Sequence, residues 1–233
     1  AWRFCFSRES WWKLDDMREM ERKAGLRSQF NFYADARAKT LGRWLFDPGY
    51  DVTHPRLAAS LAALAKEGWR VGLHQSYDAW RSPELMRQQR VRLESLLPTL
   101  VRCCRQHWLR FSWGQTWRAQ AQAGLSHDTT LMFNDRPGFR AAASLEWAPW
   151  GVVQLDGSSF RALPTVLMDS HFYDYQPMSA AERRAALKRW LAEIVAVGGQ
   201  AAVLWHPHVM TADYGWREGF QDLLDELEAV TRC

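Results

Sequence analysis

The stretch Ser179–His206, "SAAERRAALKRWLAEIVAVGGQAAVLWH", reads as a helix that hands over directly to a strand. Ser179 and Glu182 stand three apart, the spacing of a capping box. There a hydroxyl and a carboxylate satisfy the first backbone N–H groups of a helix. Leu187, Leu191 and Ile194 then fall on one stripe at helical spacing, and Gly198-Gly199 ends the helix. "QAAVLWH" follows as a short apolar run suited to a buried strand. It ends at His206, with Pro207 and His208 beyond it. A histidine where a strand gives out is either an ordinary loop residue or an imidazole at the mouth of a sheet.

The same alternation extends to either side. "GWREGFQDLLDELEAV" reads as a final helix, and "LPTVLMDSHFY" and "LSHDTTLMF" as earlier strands. "NDRPGFRAAAS" reads as a loop between those strands. "VRCCRQHWLRF" is a strand running into a loop, followed by a short helix around "QTWRAQAQAG". "SPELMRQQRVRLESLL" opens with Ser82 as N-cap and Pro83 in the first turn. "WRVGLHQSY" and "RSQFNFYA" read as strands, the latter with Phe30 and Phe32 on one face. "HPRLAASLAALAKEG" and "WWKLDDMREMERKAG" read as helices, with stripes Leu57, Leu61, Leu64 and Leu14, Met17, Met20, Ala24. Short connections between alternating elements predict an α/β fold with a mainly parallel sheet, open or closed into a barrel.

In such sheets ligands sit at the carboxyl ends of the strands. That rule selects His74, Arg105, His107, Asp128, Asp169, His171 and His206, all at or near predicted strand ends. Four predicted strands carry a histidine there, and His74, His107 and His206 are expected to line one cleft.

Composition narrows the function. Apolar residues make up 47% and charged ones 24%, as in a folded globular protein. No apolar run approaches the ~18–20 residues of a membrane span, and "AWRFCFSRES" has no signal-peptide core. The net charge of +4 is not clustered, which argues against a nucleic-acid partner. Cys5, Cys103, Cys104 and Cys233 show no disulfide or metal spacing, so reduced thiols and a cytoplasmic location are expected. Of the 14 tryptophans most belong in a core, while a few exposed ones would stack on sugar rings.

The strings "GLHQSYDAW", "RQHWLRF", "TWRAQAQAGLSHDTTLMFNDRPGFR", "LPTVLMDSHFYDY" and "LWHPH" resemble the polysaccharide deacetylases of carbohydrate esterase family four, the NodB-homology superfamily. The likeness is to a bacterial branch found among surface-polysaccharide genes, and covers nearly all of the chain. It implies one domain over residues 1–233, a distorted (β/α) barrel of seven or fewer strands, and removal of an acetyl group from a sugar. It also implies a divalent metal, zinc being expected, that polarises the acetyl carbonyl and lowers the pKa of a bound water.

By that resemblance His74 is a metal ligand. The second histidine of the family's H-x-x-x-H motif is replaced by Asp78, either a carboxylate ligand or a turn residue, and His107 is the imidazole available in its place. Asp128 and Arg105 fall in segments matching catalytic motifs, and His206 matches the histidine that protonates the leaving group. Asp135, Arg136, Arg140 and Asp169 are candidates for contacting substrate. The two arginines either grip an acidic group or pin their loop through Asp135, and Asp169 is either a rim residue or a capping acid. The family's first motif, a strand ending in paired aspartates, has no counterpart. Asp15 and Asp16 lie in a helical pattern, so truncation or true loss of that motif is expected. A non-catalytic carbohydrate-binding protein of the same fold is the competing expectation.

Overall fold

Parallel strand pairing organises the chain. The computed structural model describes residue 10 and residues 12–231, which divide into two compact units. One unit comprises Ser28–Leu131 and Leu145–Pro164. Its sheet contains β1 (Gln29–Tyr33), β2 (Arg70–Gln75), β3 (Cys103–Gln106), β4 (His127–Asp128) and β5 (Arg161–Ala162). They lie in that order and every ladder is parallel. Register places Tyr33 beside His74, His74 beside Arg105, and Cys104 beside Asp128.

The helix that precedes this unit in the chain, α1 (Leu14–Lys23), belongs to the other unit. The sheet unit holds α2 (Leu41–Phe46), α3 (Pro55–Lys66), α4 (Pro83–Glu94) and α5 (Thr116–Gln122). Both α3 and α4 pack on β2. Leu57, Leu61 and Leu64 form the buried stripe of α3. Pro55 starts that helix, where a missing N–H costs nothing. Ser82 caps α4 by accepting from the Leu85 N–H at 3.3 Å. Tyr33, Leu73, Met86, Leu93 and Leu125 fill the core of this unit.

The second unit takes the chain up to Arg27, then Met132–Ser144, then the chain from Thr165 on. It holds a parallel pair, β6 (Thr165–Met168) and β7 (Ala202–Leu204), with α6 (Ala180–Ala196) and α7 (Arg217–Thr231) packed together. The capping box of α6 is formed on both sides. α1 buries Leu14, Met17 and Met20, lies against α7, and is tied to it by an Arg217–Asp16 ion pair of 3.4 Å.

The expected α/β class with mainly parallel strands is thus observed, with seven strands among the described residues. The ladders form a five-stranded and a two-stranded sheet; no closed barrel ladder occurs among the described residues.

Several boundaries differ from the sequence reading. "LSHDTTLMF" contracts to the two residues of β4 because the Asp128 side chain captures the Thr130 N–H and hydroxyl and turns the backbone. In "LPTVLMDSHFY" the strand stops at Met168, and His171–Tyr175 coils into a π turn. α2 and β5 carried no recognisable signal. Residues 1–9, ahead of α1, lie outside the described residues. Asp15 and Asp16 open α1, where acids complement the helix dipole. No described helix is long and apolar enough to cross a membrane.

Candidate active site

Two imidazole constellations emerge, one in each unit. In the sheet unit, His74 reaches the carboxyl end of β2 and His107 follows β3 directly. The register aligns these ends, and the rings meet edge to face with His74 Nε2 2.6 Å from His107 Nδ1. At that distance one nitrogen donates a hydrogen bond to the other, the direction set by the tautomers. The turn that positions His107 is strained: Trp108 and Leu109 have φ of 56° and 51°, the left-handed region that ordinary residues avoid. The Trp108 indole N–H holds the turn by donating to Phe46 O at 3.1 Å.

The other metal candidate does not join this pair in a complete donor set. Asp78 is exposed and its carboxylate faces Arg110 at 3.5 Å. Among the described residues, no group of three His, Cys, Asp or Glu side chains could hold a metal ion. A hydrolytic zinc site takes three protein ligands and an open position. The residues present therefore supply part of such a site and do not fit the whole.

Arg105 and Asp128 are employed inside the sheet unit. Arg105 is buried and donates to the Thr129 carbonyl. Asp128 is buried among donors: Trp117 Nε1 and the Thr130 N–H on one oxygen, Gln120 Nε2 and the Thr130 hydroxyl on the other. Burial pushes its carboxyl above the usual carboxylate range, against the opposing pull of those donors. Asp35, just past β1, was missed from the sequence. It is buried and binds Arg37 and Arg43 at 2.6 and 3.0 Å. Burial alone would raise its carboxyl, but the two guanidinium groups hold it below its ordinary value.

In the second unit His206 lies just past β7, and Asp169 just past its neighbour β6. The fully buried Asp169 carboxylate accepts the His206 backbone N–H at 2.6 Å and sits 3.0 Å from His206 Nδ1 through both oxygens. The Ser170 N–H also donates to it, at 2.7 Å. The imidazole is thus oriented at one nitrogen, while Nε2 has no hydrogen-bond partner among the described residues and the side chain remains 39% exposed. The only sequence signal was that two adjacent parallel strands end in an acid and a histidine.

The remaining candidates divide simply. His171 is buried; Nδ1 accepts the Met168 N–H and Nε2 faces the Phe133 carbonyl, both at 3.2 Å. Burial depresses its pKa, and this pairing suits the neutral ring with its proton on Nε2. It is a structural histidine. Asp135 and Arg136 pair with each other at 3.2 Å on the surface, and Arg140 donates to the Met132 carbonyl at 3.4 Å. His208 lies beside His206, ring centroids 5.4 Å apart.

Comparison with known proteins bears on the fold. The chain is similar to a crystal structure described as a "putative polysaccharide deacetylase" from Mycobacterium smegmatis. The TM-score is 0.58 at 19% identity, over 92% of this chain and 70% of that one. No family model matches the chain, and no curated protein does. The fold resembles that of the mycobacterial protein.

Proposed function

We propose that the protein hydrolyses an acetyl group from a sugar, with His206 as the proton donor to the departing amine or alkoxide. The observation that carries this reading is the His206–Asp169 dyad. A buried carboxylate fixes the imidazole at Nδ1, and the exposed Nε2 is left to meet a substrate. Asp169 holds the ring in one orientation and offsets the charge of the imidazolium, and His206 Nε2–H gives its proton as the C–N or C–O bond breaks. The resemblance of the quoted motifs and the fold of the mycobacterial structure support a carbohydrate substrate.

Zinc, the cofactor implied by the resemblance, would meet only the nitrogens of His74 and His107 among the described residues, so no catalytic step is assigned to it. That incomplete donor set favours a second reading, a carbohydrate-binding protein of this fold without turnover.

Acetate release from acetylated sugar oligomers separates the two. Hydrolysis should fall about 100-fold or more in His206→Ala and less severely in Asp169→Asn, with sugar binding retained in both. Turnover unaffected by His206→Ala would remove the dyad from the chemistry. Sugar binding without acetate release by the parent protein would establish the second reading.

A further inference from the structure

The sheet unit contains a cleft that the deacetylation reading does not use. Trp113, Trp117, Arg118, Trp147 and Trp150 line it, together with Pro149 and Val152, and its volume is ≈ 260 Å³. That lies just below the roughly 300–1,000 Å³ of drug-sized sites, the scale of a single sugar ring. Trp117 is its rigid element: its indole N–H is spent inward on Asp128 Oδ2 at 3.0 Å, and the side chain is 3% exposed. Trp113 and Trp147 meet it edge to face, at 88° and 84°. Trp150 is 98% exposed and Trp113 54%. Large apolar rings are costly to leave in water, and here they surround a preformed recess.

The charge in this recess selects the occupant. Arg118 is the one ionisable residue of the lining. Its guanidinium stands over the turn at Gly151, where a Cβ would lie 3.7 Å from Nη2. It makes no hydrogen bond or ion pair among the described residues. Flat apolar walls suit the C–H face of a pyranose ring. A planar guanidinium without an internal partner suits a carboxylate, which it can bind through two parallel N–H bonds.

We propose that this cleft binds an acidic glycan, with a pyranose ring against Trp113 and Trp150 and the ring's carboxylate on Arg118. The proposal is independent of the hydrolytic reading, because it concerns binding alone.

The test is titration of the full chain with a short oligogalacturonate and with a neutral oligogalactoside of equal length, followed by tryptophan fluorescence and calorimetry. The acidic oligomer should bind saturably and more tightly, with affinity falling as salt rises. Arg118→Ala should weaken it about tenfold or more, to the level of the neutral sugar. Arg118→Lys should recover part of the loss. The double variant Trp113→Ala, Trp150→Ala should weaken both sugars while leaving the far-ultraviolet circular dichroism and the unfolding midpoint of the exposed-residue variants unchanged. Equal affinity for the two sugars, acidic binding indifferent to Arg118→Ala, or no saturable binding of either would overturn the proposal. Preference for an uncharged apolar peptide over both sugars would assign the cleft to a protein partner and overturn it equally.

Discussion

Asp128 is a buried acid that accepts donors on both oxygens. Gln120 Nε2 donates to both Gln75 Oε1 and Asp128 Oδ1 at 2.9 Å, while Gln75 Nε2 and Gln120 Oε1 are buried without partners. Burial holds the Asp128 carboxyl above the usual carboxylate range. Asp128→Asn removes the buried charge and keeps an acceptor for the Trp117 and Thr130 N–H groups, so it should cost less than Asp128→Ala, which abandons every donor at about 3 kcal/mol. Denaturant titration measures both, and equal losses would show that the retained acceptor contributes nothing. The pH dependence has a definite sign. A carboxyl raised on folding contributes stability at low pH that is lost as pH rises through its folded value. The non-titrating Asn variant should gain relative to the parent over that rise. The imidazole pair makes a second demand. With two nitrogens and no third ligand among the described residues, zinc should bind at micromolar affinity or weaker, and His74→Ala should abolish it. Tight binding by the parent in calorimetry would show a complete site, and weak binding unchanged in the variant would remove His74 from the ligands.

At the scale of elements, α6 separates two ways in which a sequence ends or begins a helix. Ser179 accepts the Glu182 N–H, so Ser179→Ala should cost about 1 kcal/mol. At the other end Gly198 has φ of 59° and Gly199 does not need such freedom, yet a Cβ on Gly199 would sit 2.2 Å from the Ser144 carbonyl. Gly199→Ala should be the more damaging, on the order of 3 kcal/mol. Thermal unfolding of the two variants ranks them, and the reverse order would contradict the close approach. Such elements were legible because caps and apolar stripes are local. α3, α4 and α6 could be read directly from leucine spacing and from serine followed by a helix. α2 could not, since Leu41, Trp44 and Leu45 are exposed and mark no buried face. Two-residue strands such as β4 and β5 are too short to show a period. The site was legible as a set of strand-end histidines. The pairing of His206 with Asp169 spans 37 residues and exists only once β6 and β7 lie side by side.

Across the whole molecule, sequence order and spatial order diverge. The five-stranded sheet draws its last strand from Arg161–Ala162, whereas α1 packs on α7, which begins at Arg217. Met17, 3% exposed, belongs to the stripe that α1 buries. Met17→Ala should cost about 3 kcal/mol in urea unfolding, and a loss near zero would mean that this stripe contributes no packing. The separation of α1 from α7 matters before the protein is finished. Translation at ~5–20 residues per second leaves on the order of ten seconds or more between the emergence of α1 and that of its cover. Throughout that interval Leu14, Met17 and Met20 form an uncovered adhesive strip on a nascent chain, a natural target for chaperones.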